Sequence, residues 1–116
     1  MSFLNVFVSA PGQFRDGLLI GNPDAVFESE GSNIPASFDA NEPSISLDGR
    51  TREQRLLVVM TNEPFEIAVV GPTETLETVT PLKAPPSAFA SLAILSYCAV
   101  IPGGVTKIFV RSIDGD

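Results

Sequence analysis

Apolar residues recur along this chain at every second position or in short continuous runs, and rarely at the spacing of a helix face. The run Phe3-Leu4-Asn5-Val6-Phe7-Val8 predicts a strand with both faces partly covered, broken by Pro11-Gly12. Leu18-Leu19-Ile20 sits between Asp16-Gly17 and Gly21-Asn22-Pro23, so it has room only for a short strand. Ala25-Val26-Phe27-Glu28 is another short candidate. Ser44-Ile45-Ser46-Leu47 alternates and stops at Asp48-Gly49, a turn dipeptide. Arg55 to Thr61 reads as a buried central strand, and Phe65 to Val70 as a strand ending at Gly71-Pro72. Thr75 to Thr80 alternates again, with β-branched character.

The last third offers two readings. Ser87 to Ile101 is apolar and alanine-rich. The preferred reading is a strand joined by Pro102-Gly103-Gly104 to a second strand, Val105 to Ile113, as a β-hairpin. The rival is a buried helix starting at Ser87, with Pro85-Pro86 before a serine N-cap. In the final strand Ile108 and Val110 share one face, and Phe109 lies on the other with Lys107 and Arg111 around it.

These elements predict an all-β chain forming a single domain over residues 1–116. The expected architecture is an antiparallel β-sandwich or jelly-roll-like barrel of about eight short strands, with room for one short helix. Glu28 to Pro43 is loop-like, so an extended segment or arm within residues 1–43 is one expectation and a long surface loop the other. Asn41-Glu42-Pro43 and Asn62-Glu63-Pro64 each precede a strand, which reads as one turn used twice.

Composition narrows the chemistry. At 116 residues the chain has the length of one domain with a real core. The single Cys excludes an internal disulfide, and Cys98 reads as a small buried hydrophobe. The N-terminus lacks the basic start and long apolar run of a signal peptide. The apolar part of the longest uncharged stretch, Ala88 to Ile101, falls short of the roughly 20 residues a membrane helix needs. A soluble protein made in the cytoplasm is the expectation. No residue is His, which removes Ser-His-Asp and Cys-His nucleophile activation and the commonest metal ligand. Structural zinc has no ligand set, and no metal or cofactor is expected. Seven cationic residues scattered among fourteen acidic ones, for a net charge of -7, disfavour nucleic acid.

Paired carboxylates could work without His, and Asp48, Glu63, Glu66, Glu74 and Glu77 are candidates. Solvated strand faces explain them better, since the chain has no Trp, one Tyr and little scaffold for a cleft. No EF-hand loop occurs, and Asp39, Asn41, Glu42 and Asp114-Gly115-Asp116 are loose oxygen donors. Phosphate-loop and nucleophile-elbow patterns are missing. The reading is therefore not an enzyme.

The dense cationic cluster is Asp48 to Arg55, with three of the chain's five Arg. It reads as a loop with local ion pairs, or as a dock for an acidic partner surface. Charge is segregated: residues 61–80 carry acids without Lys or Arg, and residues 81–113 carry cations without acids. Apolar content is 44%, which leaves apolar surface for a partner or a homo-oligomer. The candidate partner-binding residues are Phe3, Phe7, Arg50, Arg52 and Arg55.

The stretch Val100-Ile101-Pro102-Gly103-Gly104-Val105-Thr106-Lys107-Ile108-Phe109-Val110-Arg111-Ser112 resembles the last hairpin of small all-β structural proteins of tailed phages. That resemblance covers about a tenth of the chain and carries no binding motif. It implies a virion component, such as a head decoration (cement) protein that binds across adjacent capsid subunits and stabilises the shell. Its partners would be capsid or other virion subunits, and its location the virion. The alternative is a carbohydrate-type ligand-binding sandwich, which the lack of Trp disfavours.

Overall fold

The computed structural model describes residues 2–16, 18–77, 79, 81–83 and 95–113. Within them the chain forms strands β1 (Phe3–Val8), β2 (Phe14–Arg15), β3 (Leu18–Leu19), β4 (Ala25–Glu30), β5 (Ile45–Ser46), β6 (Arg55–Thr61), β7 (Phe65–Val70), β8 (Leu82–Lys83), β9 (Leu95–Ile101) and β10 (Lys107–Ser112). A single 3₁₀ turn at Gly31–Asn33 follows β4. The first sheet has the order β4-β1-β6-β9 and the second β5-β10-β7-β8; β2 and β3 form a separate small hairpin. Every pairing is antiparallel.

The expected all-β sandwich is present, and its strand order sharpens the jelly-roll reading. Setting the β2–β3 hairpin aside, moving β1 to the end of the chain would give the order of an eight-stranded jelly roll. β1 fills the place between β4 and β6 that the last strand would take.

Alternation builds the core. Leu4, Val6 and Val8 of β1 and Leu57 and Val59 of β6 point inward from the first sheet. Phe65 and Ile67 of β7 and Ile108 and Val110 of β10 meet them from the second. Each of these nine side chains is 0–1% exposed, so one continuous core joins the sheets. Tyr97 reaches into it from β9, with its ring edge-on to Phe65 at 5.8 Å.

Several connections depart from the sequence reading. β9 and β10 are not a hairpin: β9 pairs with β6, while β10 pairs with β7 and β5 in the opposite sheet. Pro102-Gly103-Gly104 therefore crosses between layers. A close approach holds this crossover: a Cβ on Gly103 would lie 2.4 Å from the Arg52 carbonyl oxygen, and the Gly104 N–H donates to the Thr51 carbonyl at 3.0 Å. Asn62-Glu63-Pro64 also crosses between sheets, from β6 to β7.

The described part of Thr75 to Thr80 is turn and bend rather than strand. Just before it Glu74 Oε1 accepts the Gly71 N–H at 2.9 Å, and Leu76 and Val79 pack on the cluster of Ala68, Val70 and Phe109. The strand-or-helix question over Ser87 to Ile101 is answered only from Leu95 onward, as strand; residues 84–94 lie outside the described residues. Residues 2–16 and 18–43 do not extend as an arm. They supply β1 to β4, and the loop after the 3₁₀ turn is tied to the sandwich by the Ser112 N–H donating to Pro35 O at 2.8 Å.

Candidate partner-binding surface

The outward faces of the two sheets are finished differently. On the second sheet, Ala68, Val70 and Phe109 point away from the core, and the chain covers them itself with Phe38, Leu76 and Val79. Phe109 is left only 3% exposed. Beside this small cluster Arg111 pairs with Glu66 and lays its guanidinium 4.8 Å from the Phe38 ring centroid.

The outer face of the first sheet is more open: Leu56 is covered there, at 1% exposed, but Val26, Met60 and Val100 are not. Register defines its outer rows. Val26, Phe7, Val58 and Cys98 form one row across β4, β1, β6 and β9. Glu28, Asn5, Met60 and Ser96 form the next, and Leu56 and Val100 pair on the other side. Val26, Met60 and Val100 are 48%, 41% and 51% exposed, Cys98 is exposed, and Phe3 and Phe7 are half-buried. The result is an apolar band across the sheet, bounded at the β4 edge by Glu28 and Glu30. A depression of about 340 Å³ at the Phe3 end is lined by Ser2, Phe3, Asn5 and Glu30.

Phe3 and Phe7 thus lie on this outer face, Phe7 in the apolar row and Phe3 toward the far end of β1. The arginines separate into different roles. Arg50 is exposed and folds back on Asp48, with Nε and Nη2 each 3.1 Å from a carboxylate oxygen. The Arg50 side chain, aided by its backbone N–H, holds the Asp48 carboxyl down at about 2. Arg52 is exposed, with its backbone against Gly103.

Arg55 is interior. Its side chain is 4% exposed, and Nη1 donates to Asp24 Oδ2 at 2.9 Å and to the Ser9 carbonyl at 3.1 Å. It has no surface to offer a partner. The signal was in the alternation: Arg55 shares the inward face of β6 with Leu57, Val59 and Thr61. The apolar band was missed because it takes residues from four separated strands.

The candidate carboxylates have local structural duties. Asp48 binds Arg50, Glu66 binds Arg111, and Glu74 caps the Gly71 N–H. Glu63 Oε2 accepts from Ser112 at 3.2 Å, while its Oε1 is enclosed without a hydrogen-bond partner among the described residues. Glu77 sits in an exposed turn. Asp39 Oδ1 accepts the Asn41 N–H at 2.9 Å, closing a local turn. Among the described residues no group of three or more His, Cys, Asp or Glu is placed to hold a metal ion, and no helix is long and apolar enough to cross a membrane.

No family model, curated protein or solved structure matches the chain.

Proposed function

We propose that this is a non-enzymatic structural protein that docks on other protein subunits through the outer face of its first sheet. The setting we propose is the shell of a viral particle, where it would act as a decoration or cement protein across adjacent subunits. The observation that carries the docking reading is the contrast between the two outer faces. One is sealed by the chain's own Phe38, Leu76 and Val79, whereas the other keeps Val26, Met60 and Val100 about half exposed. A band of this kind, rimmed by polar side chains, favours protein association. The virion setting rests on the resemblance of residues 100–112 to small phage structural proteins.

Jelly-roll order occurs in viral capsid proteins and lectins alike, so topology does not choose between the virion and carbohydrate readings. Surface chemistry favours the first: the one Tyr, the best remaining platform for a sugar ring in a chain without Trp, is turned into the core against Phe65.

The test is co-sedimentation with purified shells lacking this protein. Wild type is expected to pellet with the shells, and Val26→Glu/Met60→Glu to remain in the supernatant while keeping its circular dichroism spectrum. Wild type left in the supernatant contradicts the virion setting, and a double variant that still pellets contradicts the choice of face.

A further inference from the structure

The two sheets end in four edge strands, and they differ in what they offer. β5 and β8 are two-residue edges. β4 is longer but carries Glu28 and Glu30. β9 spans seven residues, Leu-Ser-Tyr-Cys-Ala-Val-Ile, with no charge and no proline. Among the described residues only β6 pairs with it, along its inner side. Edges of soluble sheets are usually blunted by charge, proline, a bulge or shortness. β9 has neither charge nor proline and is not short.

The direction of its outer backbone groups follows from β6. The Ser9 N–H donates to Leu56 O at 2.9 Å and the Leu56 N–H donates to Ser9 Oγ at 2.8 Å, so the Leu56 peptide groups face β1. Alternation turns those of Leu57 and Val59 toward β9, where Ala99 and Tyr97 are their partners. The N–H and C=O groups of Ser96, Cys98 and Val100 therefore point away from β6, along the edge that no other described strand pairs.

We propose that this edge pairs with β9 of a second copy of the chain, antiparallel about a two-fold axis at Cys98. The first sheets of the two copies then become one continuous sheet. Ser96 lies opposite Val100 of the second copy, and Cys98 opposite Cys98.

Charge selects the second copy as occupant. The chain carries a net charge of -7, so most approaches of one copy to another set acid against acid. Pairing through β4 would bring its two glutamates against those of the other copy. The β9 edge brings no charge from either strand, and the sequence from residue 81 to residue 113, which includes β9, contains no acid. Position agrees with charge. Cys98 is the middle residue of β9 and ends the outer row Val26-Phe7-Val58-Cys98, so the two-fold axis joins the apolar bands of both copies end to end. The pairing stands independently of the virion setting, because it requires only this chain.

The test is the mass of the full chain in solution across concentration, with variants at two exposed positions. Wild type is expected to pass from monomer to dimer. Ser96→Lys/Val100→Lys sets like charges opposite each other and should weaken dimerisation at least tenfold. Ser96→Lys/Val100→Glu sets opposite charges at the same contacts and should restore it. Bismaleimide is expected to join Cys98 to Cys98 of the second copy in wild type and in the restored variant. A wild type that stays monomeric at millimolar concentration overturns the proposal, as does a dimer indifferent to the paired lysines. Failure of the lysine–glutamate variant to dimerise better than the double-lysine variant overturns the register. The lysine–glutamate variant also controls for folding, since it alters the same two positions.

Discussion

The Arg55–Asp24 pair makes an asymmetric prediction about stability. The Arg55 side chain is 4% exposed and that of Asp24 50% exposed, so the partners sit on opposite sides of the water boundary. Removing Asp24 strands a cation inside the protein with only the Ser9 carbonyl for company. Breaking a buried pair in this way costs about 3–5 kcal/mol, and water reaching the site from the Asp24 side puts the expected value near about 3. Asp24→Ala also keeps the backbone donation from Asp24 N–H to Val8 O, so the loop itself is retained.

Removing Arg55 instead leaves a carboxylate that water can solvate and a buried carbonyl short of one donor. Arg55→Met, which fills most of the volume, should cost only about 1–2 kcal/mol. The double variant should resemble Arg55→Met alone, because the stranded charge is gone. Urea unfolding followed by circular dichroism measures all three, and suits a chain without Trp. Against a total stability of about 5–15 kcal/mol these differences are large. If Asp24→Ala is no more destabilising than Arg55→Met, or the double variant costs the sum of the singles, the burial argument fails.

Other expectations follow from single contacts. Gly103→Ala should destabilise by about 1–3 kcal/mol in the same assay, since its Cβ would press on the Arg52 backbone, which no side-chain rotation can relieve. Phe65→Ala should cost about 3–5 kcal/mol, whereas Val26→Ala on the open face should stay within about 0.5 kcal/mol. By NMR, Asp48 should titrate at about 2, and Arg50→Gln should raise it, with the backbone N–H of residue 50 keeping part of the depression. The sign follows from a depressed value: the favourable contribution is complete above about pH 4 and is lost as pH falls through about 2.

Local elements were more legible in the sequence than their partners. β1, β6 and β7 follow the apolar runs bounded by proline and glycine, residue for residue. β4 runs two residues beyond Glu28, because Ser29 and Glu30 are held by pairing with Leu4 and Phe3 of β1, a contact that composition does not encode. Thr75 to Thr80 shows the reverse failure. Its alternation is real, yet Leu76 and Val79 cover the cluster of Ala68, Val70 and Phe109 instead of lengthening a sheet edge.

Sheet membership was the hardest part to read. Periodicity gives a strand two faces but not a neighbour, so Pro102-Gly103-Gly104 looked like a hairpin turn although it joins opposite layers. The candidate surface suffered likewise. Phe3 and Phe7 stood out as aromatic, but Val26, Val58, Met60 and Val100 became one band only after four strands were set side by side. Arg55 was misread by type, because a cation suggests solvent, while its place in the β6 alternation put it inside.

The outer face of the first sheet is the one we propose meets another protein. The most direct measurement is maleimide labelling of a thiol placed on that face, in the variant Cys98→Ser/Met60→Cys, free and bound to shells. Rapid labelling is expected in solution and strong protection in the bound fraction, with a Ser46→Cys control on the second sheet labelling equally in both. Equal labelling at position 60 in the free and bound protein would contradict the proposal.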